Sequence, residues 1–385
     1  MESAECSTLR TGGGSSEPTK PRRLKGHKGE AICCIASRAR PGLIASSGED
    51  GCICWFDLRC KNVLSTMDVG NKPVTSLCFK AGNEDVFYAS SGSEVVGFDI
   101  HMASSWKRLE TYNYNKEEIN QIDFSPKSSF LAAADDSGDI KIIDVRQQCL
   151  YKTLRAIHTN ICSTVQFLSW NPWSVITGGL DSQLVAWDFS KGRSQNILDF
   201  GLPSFGTNES ISGQCFNPPF VHSIAISEAD AVTGLDKVCA VARGDGMVEV
   251  IDIESELIHK KSLSSSQHQR GLARTNEKGC INGQRRQRRL QLDYGFGGHT
   301  AAVSCVCFSL FGERGKFILS GGADALIKVW DWSKDFHAEQ KSLGNYLTST
   351  INLNKKVNWL CTTPTDTGNV IVCDTSKVLK AYTIL

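Results

Sequence analysis

"SVITGGLDSQLVAWDFS", residues 174–190, decides how this chain must be read. A short run of apolar and small residues meets a turn rich in Gly, Asp and Ser, and a second alternating run closes on Trp187 and Asp188. Side chains of a strand point alternately to its two faces, so each run reads as a strand and the pair as a hairpin. A lone hairpin is marginal in water, so this one needs neighbours. The sequence supplies them in "LIASSGEDGCICWFDLR" (43–59), "VFYASSGSEVVGFDIH" (86–101), "FLAAADDSGDIKIIDVR" (130–146), "VCAVARGDGMVEVIDIE" (238–254) and "FILSGGADALIKVWDWS" (317–333). Upstream of each lies another alternating run: "AICCIA", "VTSLCF", "INQIDF", "ICSTVQF", "SIAIS" and "VSCVCF". Apart from two stretched intervals the copies recur at about 40–45 residues, the period of a propeller blade. "KVNWLCTT", "NVIVCD" and "VLKAYTIL" at the C-terminus form a seventh, degenerate copy.

With these residues the chain resembles the WD-repeat family. Gly26 with His27 and Gly298 with His299 open units, and His158 stands in the same place without its glycine; Trp187 with Asp188 and Trp330 with Asp331 close them. The resemblance runs from about residue 21 onward and implies an all-β fold, a single seven-bladed propeller over 21–385. The last copy stops after its third strand, while "PRRLKG" (21–26) precedes the first opening His. The N-terminal strand is therefore expected to complete the seventh blade and remove an exposed edge. The family pattern implies a buried polar chain in a blade, from the opening His through Ser or Thr and the turn Asp to the closing indole. The sets are His158, Thr177, Asp181, Trp187 and His299, Ser320, Asp324, Trp330. The first blade offers His27, Ser46 and Asp50, but Phe56, which has no N–H to donate, stands in the Trp position.

Composition narrows the function. The chain has 385 residues, a formal charge of +1 and 41% hydrophobic residues, enough for a substantial core. Near-neutral charge gives no reason to expect a surface made for nucleic acid or membrane. No apolar run approaches the roughly 18 residues that span a bilayer, and the N-terminus lacks the apolar centre of a secretory signal. The 16 cysteines sit mostly within strand-like runs and form no Cys-x-x-Cys pair, so they read as small core residues of a reducing compartment, cytoplasmic or nuclear. Residues 1–20, rich in Gly, Ser and Thr, read as a disordered tail.

No cofactor, metal site or enzyme is expected. There is no phosphate-cradling loop and no nucleophile elbow. Histidine recurring at the opening position of copies reads as a hydrogen-bonding core group rather than a general base. Asp135 and Asp136 are adjacent carboxylates, but their place in a tight turn favours bonds to local backbone. A basic insertion over 255–289 separates the fifth copy's third strand from its outer strand, expected near Leu290–Leu292. It reads first as a solvated loop. Arg285, Arg286, Arg288 and Arg289 also suit an import signal or a phosphate-binding arm, the only route to nucleic acid here.

Two copies close with Asp-x-Arg: Asp57 with Arg59, and Asp144 with Arg146. Others carry Ser, His or Glu there, so arginine is no requirement of the repeat. In the WD-repeat family this ending resembles the box that docks on damage-specific DNA-binding protein 1, the adaptor of cullin-4 ubiquitin ligases. A guanidinium offers forked donors to a partner's carbonyls or carboxylates. The first copy matches better, with Asp50, Ile53, Trp55 and Phe56 ahead of it; the second has Ile143 for the aromatic and Ser137 for the turn Asp. Within the family, "LAAADDSGDIKIIDVR", "HTNICSTVQF", "GGLDSQLVAWD" and "KVNWL" resemble a subgroup counted among candidate cullin-4 receptors. That subgroup's basic insertion is expected after the sixth blade and here falls in the fifth, so the loop's functions do not transfer. The expected protein is a monomeric, non-enzymatic scaffold and a cullin-4 substrate receptor. The alternatives are a chromatin or histone-peptide reader and an RNA- or ribosome-associated propeller.

Overall fold

The computed structural model describes residues 20–102, 105–202, 215–227, 237–258, 289–333, 336 and 345–384. Every sheet in it is a four-stranded antiparallel blade, and there are seven. In the fourth blade, Cys162–Phe167 is innermost, followed by Ser174–Gly179, Gln183–Asp188 and Arg193–Asp199. The middle strands are buried on both faces; the outer strand is mostly half-buried or exposed. This is why the middle strands read as near-continuous apolar runs.

The repeating unit of sequence and the blade are out of phase by one strand. Each copy begins with the outer strand of the preceding blade, and the first copy has no predecessor. Its strand Arg22–Lys25 crosses to the other end of the chain and pairs with Val378–Tyr382, Leu24 opposite Leu379, completing the blade of Val357–Thr362, Val370–Asp374 and Val378–Tyr382. The expected latch is present.

Packing is between blades. Each apolar cluster draws on two successive blades: Trp55 and Met67 of the first meet Phe87 and Phe98 of the second, and Leu24, Phe56, Ile371 and Cys373 join the seventh to the first. Burying one such side chain contributes about 1.5–3 kcal/mol. Polar side chains of the innermost strands add bonds around the ring. Gln121 Oε1 accepts from Val165 N (2.9 Å), Gln166 Oε1 from Ile226 N (2.9 Å), and Asn358 Nδ2 donates to Ala31 O (3.0 Å). The described cysteines are all free thiols, mostly buried in strands. Burial pushes the Cys33 thiol up to about 12 and those of Cys34 and Cys78 well above the usual range.

One boundary moves. The insertion does not begin at residue 255: Glu254–Ile258 is a helical turn with Glu256 and Leu257 buried, Leu257 in the core between blades four and five. Nor does it run to 289, because the outer strand is Arg289–Leu292 and Arg289 pairs with Ile251. All but the last residue of the expected tail over 1–20, and the insertion over 259–288, lie outside the described residues.

Deleting residues 1–26, or substituting Leu24→Asp, should lower the melting temperature by several degrees, followed by circular dichroism. An unchanged melting curve would mean that the ring holds without its latch.

Candidate functional site

Three opening histidines build the polar chain that the family pattern implies. His158 Nδ1 lies 3.0 Å from Asp181 Oδ2 and Nε2 lies 2.8 Å from Thr177 Oγ1, which accepts from Trp187 Nε1 at 2.8 Å. His299 repeats this with Asp324 (3.0 Å), Ser320 (2.8 Å) and Trp330 (2.9 Å). An indole only donates and a carboxylate only accepts, so proton direction follows: indole N–H to hydroxyl, hydroxyl to Nε2, Nδ1–H to carboxylate. In the first blade His27 reaches Asp50 (3.0 Å) and Ser46 (2.7 Å), and the chain stops there because the next residue is Phe56. Trp55 faces the second blade instead, its Nε1 on Met67 Sδ at 3.3 Å.

The chain fits only because glycine makes room. A Cβ at Gly179 would sit 2.8 Å from both His158 Nδ1 and Asp181 Oδ1; Gly48 and Gly322 meet the same pair of atoms in their blades, at 2.8 and 2.6 Å. Burial alone would raise the Asp181 and Asp324 carboxyls. The histidine and backbone N–H groups overcome it and hold both below the usual carboxylate range. These histidines have satisfied neighbours on both nitrogens, which is a structural role.

Two blades solve the problem differently, and the sequence reading missed both. In the third, Asp135 occupies the position of Gly48, opposite Ile119, and Asn115 Nδ2 donates to it at 2.8 Å. Asp135 is therefore buried at a strand end while Asp136 is exposed, and the paired carboxylates part. In the fifth, Arg243 takes that position, opposite Val221, and bridges Asp245 (2.5 Å) and Glu249 (2.6 Å). Arg289 bonds Glu256 through Nη2 at 2.8 Å and lies 3.7 Å from Glu249. Arg289 is thus part of the blade and not of a basic loop. Its pair closes the base of the insertion. Arg285, Arg286 and Arg288 lie outside the described residues.

The Asp-x-Arg residues sit at the ends of third strands, Cys52–Asp57 and Ile140–Asp144, and so on one face of the ring. Asp57 is nearly buried and Arg59 is 83% exposed along its side chain. Arg59 forks onto Asp57 through Nε (3.0 Å) and Nη2 (2.6 Å), and this guanidinium holds the carboxyl below its usual range. Beside them an open groove of about 340 Å³ is lined by Arg40, Pro41, Leu43 and Leu64. Arg146 is exposed too; its backbone N–H bonds Asp144 at 2.9 Å. In blades four and six a serine hydroxyl fills the role of bonding the closing Asp, Ser190 on Asp188 and Ser333 on Asp331. The turn therefore does not require arginine. Among the described residues no cluster of His, Cys, Asp or Glu could hold a metal, and no helix is long and apolar enough to cross a membrane.

The profile of the family described as WD domain, G-beta repeat, matches residues 18–57, 106–144 and 290–331. Each span carries an outer strand of one blade and the three inner strands of the next. Over 386 aligned residues, 94% of this chain and 94% of the relative, the chain is 28% identical to a WD repeat-containing protein 53 homolog of Dictyostelium discoideum. This is the subgroup that the third, fourth and last copies resemble. It is 25% identical over 164 residues to a GATOR2 complex protein, WDR24, of Danio rerio, covering 40% of this chain but 20% of that one. It is 30% identical over 133 residues to a guanine nucleotide-binding protein subunit beta of Oryza sativa subsp. japonica, 32% of this chain and 34% of that one.

Thr177→Val should orphan both the Trp187 indole and His158 Nε2, at about 1–3 kcal/mol each. Trp187→Phe removes only one bond to a hydroxyl that keeps its histidine, so by urea melts Thr177→Val should lose more of the stability that depends on hydrogen bonding. The depressed carboxyls also fix a pH dependence. Their contribution is present above the ordinary Asp value of about 3.9 and is lost as pH falls through the lower folded values. Asp181→Asn should flatten that acid limb; an unchanged limb would exclude Asp181 from it.

Proposed function

We propose that this chain, a WD-repeat β-propeller, works as a non-enzymatic protein-interaction scaffold and specifically as a substrate receptor that docks on damage-specific DNA-binding protein 1 of cullin-4 ligases. The observation that carries the reading is Arg59. It stands exposed over a groove with Pro41, Leu43 and Leu64 in its walls, oriented by a nearly buried Asp57, at a position where serine suffices for the fold in two other blades. A forked guanidinium held by a carboxylate on one side still has donors for a partner on the other. The guanidinium itself lies largely in water, where ion pairs add little to stability, so a binding role explains it better than a folding one. Arg146 on the same face adds a second, weaker contact. The buried thiols fit a reducing compartment, nucleus or cytoplasm, and the chain is taken to act as a monomer.

Arg59→Ala should leave the melting temperature unchanged and weaken binding of the purified adaptor about tenfold or more, as loss of an interface anchor does. Arg146→Ala added to it should weaken binding further, measured by biolayer interferometry. If the wild type never binds the adaptor, or the double variant binds it fully, the ligase role falls and a general scaffold is left.

The remaining arginines of the insertion are assigned to nuclear import. Replacing Arg285, Arg286 and Arg288 with alanine should move a fluorescent fusion from nucleus to cytoplasm. Arg289 must be left out of that test, because Arg289→Ala leaves Glu256 buried without its cation, a loss of about 3–5 kcal/mol. An unaltered distribution would dismiss the import role.

A further inference from the structure

We propose that the rim shared by blades three and four, on the face that carries Arg146, is a docking surface for an acidic peptide segment bearing an apolar anchor. Five rings meet there, four of them around the buried Phe189. Phe130 lies 5.3 Å from it, Trp173 5.5 Å, Phe167 5.7 Å and Tyr151 6.3 Å, and Tyr151 also packs on Phe130 at 4.9 Å. Three of the five are buried in the core between the two blades. The other two reach the surface, Trp173 at 44% exposure and Tyr151 at 37%, next to Leu150 at 38%. A large exposed aromatic held rigid by a buried one loses little freedom on binding, which suits an anchor site.

The surrounding charge selects the partner. The four loops that open on this rim are 125–129, 145–148, 168–173 and 189–192. Their ionisable residues are Lys127, Arg146 and Lys191, with no carboxylate among them. Lys152 joins these cations, its Nζ 5.5 Å from the Tyr151 ring centre and bonded to Ser190 O at 2.8 Å. The acids at the strand ends are already engaged: Asp144 accepts from Arg146 N and Gln147 N, and Asp188 pairs with Lys191 at 2.9 Å. An apolar strip ringed by cations complements a segment in which Asp or Glu flanks Leu or Phe. Nucleic acid fits it less well. A run of bases stacks on separate open ring faces, whereas Tyr151 and Trp173 pack at tilted angles against Phe130, Phe189 and each other in one cluster. The inference does not rest on the adaptor reading; only Arg146 is common to both.

The test is fluorescence anisotropy of a fluorescein-labelled synthetic peptide in which Asp and Glu alternate with Leu and Phe, titrated with the full chain. Saturable binding is expected, weakening as salt is raised. Trp173→Ser and the surface change Lys191→Glu should each weaken it about tenfold or more. A peptide with Lys in place of the acids should not bind, and Arg59→Ala should bind like wild type, which separates this surface from the adaptor groove. No saturation by the wild type overturns the proposal. So does equal affinity of Lys191→Glu, which stands even if Trp173→Ser fails to fold, and so does an oligouridine that displaces the peptide, which would assign the rim to RNA.

Discussion

Ring closure is the constraint on which the rest of this structure depends. A blade buries its faces only between two neighbours, so an open ring would leave the first and seventh blades with bare sheets. Four residues, Arg22–Lys25, prevent this by pairing along Val378–Tyr382. Leu24, buried against Ile371 and Leu379, is where the two ends of the chain share a core. The latch reaches further through Arg22, whose guanidinium donates to the carbonyls of Leu58 and Cys60. Those residues flank Arg59. The loop that presents the exposed arginine is thus fastened to the strand that closes the ring, and its position depends on closure.

The fold was legible because the repeat obeys a local rule seven times. Alternation and a tight turn recur at a similar spacing, with a closing Asp in every copy but the last, and a strand ahead of the first copy with a last copy one strand short leaves a single way to close. The buried chains were legible for a finer reason. Where the opening residue is His27, His158 or His299, the facing strand ends on Gly48, Gly179 or Gly322, since a side chain there would strike the His–Asp pair. Where no histidine opens the blade, that position is free for Ser91, Asp135, Arg243 or Asp374. Histidine and glycine are two halves of one steric condition, and both are visible in the sequence.

What the sequence did not reveal depends on pairs brought together from a distance. Glu256 and Arg289 are separated by the insertion, and neither belongs to the repeat pattern, so the pair that closes its base looked like loop. Arg243 and Glu249 occupy strand positions where charge is unexpected, and the register puts them together. The ring cluster at Phe189 draws one residue from each of several loops and strands, none of which carries a signal alone. Asn115 could have been found: it stands four residues before its strand, where His27, His158 and His299 stand before theirs, and an amide can donate to a carboxylate as an imidazole can.

The arginines of this protein separate folding from binding. Arg243 and Arg289 are largely buried among Asp245, Glu249 and Glu256, where removing one partner strands a charge out of water. Their pairs are therefore obligatory once present, and they explain themselves within blade five. Arg59 also pairs with a nearly buried carboxylate, yet most of its side chain lies in solvent. Its loss would leave Asp57 still accepting from the backbone N–H of residue 59 at 2.8 Å, the bond that shapes the turn. The main chain thus holds the aspartate in place by itself, and the guanidinium favours its charge without shaping the turn. Trp173 stands in the same relation to its cluster: Phe130, Phe167 and Phe189 fill the core, while nearly half of the indole remains in water. Residues that the architecture orients but does not require are where partner contacts should be sought, and here both lie at the ends of strands on the same face.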